Sequence, residues 1–410
     1  MKTSKSEANA IIAISAMKSV IDKFLGPFLT AYFIQTSKDS LVDLSIYNIF
    51  SNIVLMIFSM IVSSFIERKF RIGMFRIGVV LNFGYILTII LLNESIVRYL
   101  WLIAILSGIS STAYWMPYNL FNLTKISNED RTKYNITSRI VSSVIGIFCP
   151  LILGSLITVT NYILTAGVIL VISFIQIILT FILKPDVYDK TDTFNPLKTY
   201  KKMSSNNQTL RSFNSQFLVG MTVNTSALEV LLVVLVFSVI KSNFNLGVIT
   251  SISTIISILA MSLYGKIYKN REDKNIILFS SILVAVLVTT MAIWKNSIAL
   301  VICYCIYMVL IDLIKLTQTV RADNVANTSV VDKTEQCEYN AIRETHMDFG
   351  RIISFTLLLV AAKFGGNTSL NILMIFLSIL ICFLGINIVR INNSNNKIKG
   401  EKWGNDYFKD

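Results

Sequence analysis

Ten ionisable side chains stand inside stretches that are otherwise apolar: Lys18, Asp22, Lys23, Glu229, Asp312, Lys315, Arg343, Glu344, Asp348 and Arg351. Five are basic and five acidic, a balance that suits mutual pairing. An ionisable group in hydrocarbon costs about 2.5–3.5 kcal/mol on insertion scales, so such groups face protein or water. Spacing sorts them further. Lys18 and Asp22 are four residues apart, on the broad helix face that Ser15, Ser19 and Gly26 share. Asp312, Lys315 and Thr319 make a second stripe, and Asn340, Glu344, Asp348 and Arg351 a third. Glu229 has no ionic neighbour on its own helix; placed near the middle of that helix, it shares a face with Thr222, Thr225 and Ser226.

The chemistry open to these groups is proton exchange. Low dielectric makes a carboxyl hold its proton, and a nearby cation makes it let go. A carboxylate whose cationic partner moves between two conformations therefore takes up and releases a proton. Asp22 and Glu229 are the first candidates, followed by Asp312 and Glu344. A structural reading stands beside this one. Lys18 and Lys23 have stems long enough to reach the interface, Arg343 can do the same or meet phosphate headgroups, and Glu344, Asp348 and Arg351 also suit a static bridge. The one histidine, His346, points away from the stripe on its own helix and fits packing.

The elements that carry these groups are membrane spans. The chain has 410 residues, 54% hydrophobic and 15% charged, with a mean hydropathy of +0.64. A soluble domain carries about 25% charged residues, so there is too little polar surface here to cover a water-soluble globule. Runs of about twenty apolar residues fall at roughly 11–35, 44–66, 73–93, 97–121, 136–158, 162–183, 213–240, 245–268, 275–294, 297–320, 339–362 and 369–390. The connections between them sort the basic residues, with 27 Lys and Arg on one side, five on the other and five within spans. Basic loops stay in the cytoplasm, which places both termini there, in a cell membrane. The net charge of +13 divides into +11 inside and +2 outside. Topology accounts for the basicity, and no nucleic-acid partner is needed.

Cys149, Cys303, Cys305, Cys337 and Cys382 form neither a disulfide framework nor a zinc site, and no metal ligand set is expected. No His pair, phosphate-cradling glycine loop or nucleotide-binding signature points to an enzyme. The N-terminus lacks a cleavage site after a short apolar core, so the first span reads as an uncleaved anchor.

A polar, basic segment at about 184–212 divides the chain into six spans before and six after. The expected organisation is a six-helix bundle over 1–183, a central linker over 184–212, a second bundle over 213–391 and a basic tail over 392–410. Tyr134-Asn135 before the fifth span and Tyr339-Asn340 before the eleventh give a faint repeat between the halves. Between spans 2 and 3 the chain reads Ser63-Ser64-Phe65-Ile66-Glu67-Arg68-Lys69-Phe70-Arg71. This resembles the Gly-x-x-x-Asp-Arg-x-Gly-Arg loop of the major facilitator superfamily, keeping the acid and both arginines but neither glycine. Cys149-Pro150-Leu151-Ile152-Leu153-Gly154, with Gly146 nearby, resembles the Gly-Pro-x-x-Gly-Gly motif of family exporters, keeping the proline and the final glycine.

The resemblance implies an all-α polytopic membrane protein, with twelve transmembrane helices in two pseudo-symmetric six-helix bundles. It also implies a central cavity lined by helices 1, 4, 7 and 10. Lys18, Tyr114, Trp115, Tyr118, Asn119 and Lys315 become substrate-cavity candidates. Glu67, Arg68, Arg71, Arg343, Asp348 and Arg351 become gate or helix-bracing candidates, and Gly146, Pro150 and Gly154 the helix-5 motif. The expected function is alternating-access transport: proton-coupled export of small amphipathic organic compounds, by a monomer in contact with lipid, with a proton gradient and no cofactor. Uptake of a nutrient or anion, with Lys18, Lys315 and Arg351 as the anion's partners, is the main rival. A receptor or immunity protein on a transporter scaffold is the alternative from another class. Composition rich in Ile, Asn and Lys suggests a low-GC bacterium.

Overall fold

A computed structural model describes residues 5–37, 40–66, 70–124, 128–184, 194–267, 273–294, 296–326 and 335–391. Among these there is no strand. In lipid every backbone N–H and C=O needs an internal partner, and a helix supplies one without leaving its own segment. The helices of the first half are α1 (Lys5–Lys23), α2 (Leu29–Thr36), α3 (Ser40–Phe65), α4 (Arg71–Leu92), α5 (Leu100–Thr124), α6 (Asn128–Val159) and α7 (Tyr162–Thr180). A short α8 (Pro196–Ser204) follows. The second half holds α9 (Asn207–Thr222), α10 (Ala227–Ile240), α11 (Asn243–Ile267), α12 (Asp273–Ile293), α13 (Ser297–Ala326), α14 (Gln336–Phe364) and α15 (Gly366–Arg390).

Two pairs are single rods with an interruption. A π-helical turn, Phe24–Phe28, joins α1 to α2 and contains Pro27, whose missing N–H forces a local change of ladder. Residues 223–226 separate α9 from α10. Counted this way, the described helices make twelve rods, six on each side of α8. Nine stretches among the described residues are long and apolar enough to cross a membrane, one of them spanning both α4 and α5. The rods of α1 and α14 are not among them, and these two helices hold seven of the ten intramembrane charges.

Within the first half α3 and α4 pack on α5, and α7 packs on α1 and α4. Within the second, α9 packs on α14 and α15, and α12 on α13 and α15. The halves meet along two seams, α3 against α14 and α6 against α11. Glycines set both the second seam and the packing of the broken rod. A Cβ added at Gly154 would lie 2.6 Å from the Asn243 carbonyl oxygen, and one at Gly247 would fall on the Pro150 carbonyl. Likewise a Cβ at Gly220 would fall on the Met347 carbonyl and one at Gly350 on that of Phe217, so α9 and α14 touch backbone to backbone.

Basic residues close the last helix of each half. Arg76 on α4 donates to the Leu183 carbonyl at 3.0 Å, beyond the end of α7. Arg321 on α13 donates to the Ile388 carbonyl at 2.6 Å, and Arg211 on α9 to that of Arg390 at 2.8 Å. These carbonyls lie at or beyond the C-terminal ends of α7 and α15, where cations are accommodated well. Of the motif residues between spans 2 and 3, Glu67 and Arg68 lie outside the described residues, and Arg71 is buried at the start of α4.

Candidate functional site

A cavity of about 570 Å³ lies between the halves, walled by α1, α3, α4, α5, α10, α14 and the break after α9. At the end of the molecule where α1 begins it is closed along the α3–α14 seam. Val62, Ile66, Cys337 and Ala341 form an apolar cluster with Met116, which is also part of the cavity wall. The Cys337 thiol stands 3.6 Å from the Ser63 carbonyl there.

On the α1 wall, the Lys18 ammonium lies 2.6 Å from Asp22 Oδ1, 3.4 Å from Asn82 Oδ1 and 5.4 Å above the Tyr114 ring. Lys18 is 3% exposed, so it does not reach out to the interface. Asp22 is 41% exposed, and it lines the cavity. The ammonium is thus held by the first half's own atoms, with the carboxylate turned toward the open space.

The opposite wall centres on the break between α9 and α10. Arg351 donates through Nε to the Asn224 carbonyl at 3.0 Å and through Nη1 to Asp348 Oδ1 at 2.7 Å. A carbonyl freed by the break is thereby satisfied by a charged donor. Asp348 is 1% exposed, and its second oxygen has no protein partner. Glu229 is not in mid-helix, as its position in the span implied. It lies in the first turn of α10, where its carboxylate accepts from the Thr225 N–H at 2.9 Å. The Ser226 side chain caps the Glu229 N–H at 3.4 Å. Ser226-Ala227-Leu228-Glu229 ahead of an apolar run is a capping-box pattern, a signal present in the sequence that reveals this helix start. Thr225 holds a left-handed backbone, φ 49°, uncommon for a β-branched residue.

The remaining candidates divide. Glu344, Trp115 and Asn119 line the cavity together with Lys18, Asp22, Glu229, Asp348 and Arg351. Arg343 stands 3.8 Å from Glu344 without lining it. Tyr114 and Tyr118 pack behind Trp115, at 5.1 and 5.5 Å between centroids, and support it rather than face the space. Asp312 and Lys315 are not in this wall: α13 contributes none of the described lining residues, and α3, α4 and α14 take its place. Helix number in the resembled fold names a layer, whereas a cavity on one side of the axis is set by rotation and tilt. Gly146, Pro150 and Gly154 sit on the α6–α11 seam, Gly146 with a would-be Cβ 3.0 Å from Thr254. Charge in the sequence does not mark the polar face of α3, where Asn48, Ser51, Asn52 and Ser59 line the cavity at helical spacing. No group of three or more metal-ligating side chains occurs among the described residues.

The model of the Major Facilitator Superfamily matches residues 11–320. This chain belongs to that superfamily. An uncharacterised protein of Bacillus subtilis (strain 168), YqgE, is 23% identical over 367 residues, covering 86% of this chain and 82% of that protein. A bacterial homologue of the iron transporter ferroportin, in its inward-facing state, superposes with a TM-score of 0.68 at 13% identity, covering 95% of this chain and all of that one. The nucleoside transporter NupG does so at 0.66 and 12% identity, over 94% of this chain and all of that one. At such identities the likeness is one of fold. The superfamily chain here is a multi-pass, all-α secondary transporter and not an enzyme.

Proposed function

We propose that this chain is a proton-coupled exporter of small organic compounds, working as a monomer in the cell membrane by alternating access. One observation carries the reading: Asp22, Glu229, Glu344 and Asp348 converge on one cavity between the halves, two of them beside buried cations. A carboxylate that gains and loses a cation or a solvent path as the halves rock changes its proton affinity between the two orientations. Proton movement down its gradient then drives the solute the other way. The residues at 1–183 and 213–391 act as the rocking bodies, with 184–212 joining them.

The anion-uptake reading is weaker on these grounds. Lys18 is held by Asp22 and Asn82, and Arg351 by Asp348 and the Asn224 carbonyl, so neither base is left for a substrate anion.

Inverted membrane vesicles test export directly. Under an imposed proton gradient, acid inside, solute accumulates in vesicles with the wild-type chain, and accumulation falls at least tenfold in Asp22→Asn and Glu229→Gln at equal protein levels. Full accumulation in both variants would contradict proton coupling through these carboxylates, and no accumulation with the wild-type chain is what a non-transporting receptor requires.

A further inference from the structure

The walls of the cavity carry an imbalance of charge. Four carboxylates line it against two basic groups, Lys18 and Arg351. Each base is already bonded, as described above, and each has a carboxylate of its own. Glu229 and Glu344 remain over. The Glu229 carboxylate accepts only from the Thr225 N–H, with no basic side chain paired to it among the described residues. Glu344 has Arg343 at 3.8 Å, the outer edge of an ion pair, and Arg343 does not line the space. In a site of low dielectric an uncompensated carboxylate is costly, and a cationic ligand removes that cost.

Two buried atoms of the lining residues are also without a protein partner, Asp348 Oδ2 and Asn82 Nδ2. The first is an acceptor on the acid-rich wall, the second a donor on the opposite wall. Both atoms are closed off from the cavity space itself, so contacts to a ligand there fall to Glu229 and Glu344 rather than to them. Trp115, 40% exposed, adds an aromatic surface held edge-on by Tyr114 and Tyr118 at interplanar angles of 83° and 86°. Such a surface accepts a flat apolar group or an ammonium.

We infer that the transported solute is a small organic cation, an amine that also carries a flat ring, bound with its ammonium against Glu229 and Glu344. The inference names the substrate class of the exporter proposed above and rests on that reading. It also accounts for exchange in one step: proton and ammonium compete for the same carboxylates, so binding of one releases the other.

Three isosteric probes test it: tryptamine, the neutral alcohol tryptophol, and indole-3-acetate. Their binding to the purified full-length protein in nanodiscs is measured by calorimetry. Tryptamine is expected to bind at least tenfold more tightly than tryptophol, with indole-3-acetate weakest. The combined variant Glu229→Gln/Glu344→Gln is expected to bring tryptamine and tryptophol within about threefold of each other; Gln at 229 can still accept from the Thr225 N–H. Equal binding of amine and alcohol by wild type, tightest binding of the acid, or no binding of any probe overturns the substrate class. A preference unchanged in the combined variant overturns its location. Exchange across proteoliposomes separates this from the carrier reading. Exchange of tryptophol or the acid with no amine preference sinks the cation and keeps the carrier, whereas amine-selective binding without exchange sinks the carrier and keeps the site.

Discussion

Lys18 and Asp22 are bonded to each other, yet only one of them is buried, and that asymmetry predicts unequal mutants. Asp22→Asn leaves a buried ammonium without its carboxylate, which costs about 3–5 kcal/mol. Lys18→Met leaves a carboxylate already open to the cavity, at about 1 kcal/mol or less. The double variant should recover most of the loss. Equilibrium unfolding in detergent checks all three, and equal losses in the two single variants would contradict the buried ammonium. Arg351 makes a second, sharper case, because its guanidinium serves the Asn224 carbonyl and Asp348 from two different nitrogens. Lysine cannot reproduce that fork, so Arg351→Lys should unfold almost as easily as Arg351→Met, where a simple charge requirement would spare the lysine variant. Charges such as these are legible in a sequence because an ion in an apolar run has no cheap explanation. The amides of α3 were not legible. Asn48 and Asn52 each donate to the carbonyl four residues earlier, at 2.8 and 2.7 Å, a local arrangement that makes them inexpensive anywhere in a helix.

Helices α9 and α10 share one apolar run, 213–240, in the sequence. What interrupts them is local: a left-handed Thr225, a Ser226 cap and the Glu229 carboxylate. Glycine adopts φ > 0 freely, so Thr225→Gly should stabilise the fold by about 1 kcal/mol, read as a higher unfolding midpoint; a lower one would mean that Thr225 contributes more than it costs. The position of the break also depends on α14, against which α9 lies backbone to backbone at Gly220 and Gly350. Gly220→Ala should therefore lower the midpoint strongly and weaken the Arg351 contact. Gly84→Ala on α4, where an added Cβ meets nothing within 4 Å, should be neutral or raise it by about 0.5–1 kcal/mol. Similar midpoints for the two alanine variants would refute the close approach. The all-helical, membrane-spanning architecture could be read from apolar run length, because it follows from the solvent. Which helices face the cavity could not, because that depends on how glycines let particular pairs approach.

At the scale of the whole molecule, alternating access requires that the closed end of the cavity open. The α3–α14 seam closes it, with Cys337 beside Ser63 and Met116 forming the floor. Cores and interfaces of this kind are bistable rather than elastic, so a covalent tie across the seam should arrest transport outright instead of slowing it. Ser63→Cys in a background where Cys337 is the remaining native thiol places two sulfurs on facing helix ends. Oxidation should abolish solute exchange in proteoliposomes, and reduction should restore it, while each single-cysteine protein stays active under the same oxidant. Undiminished exchange by protein cross-linked at this seam would mean that the halves do not part there. The path to that side would then have to run along the α6–α11 seam, where Gly154 and Gly247 instead hold two backbones in contact.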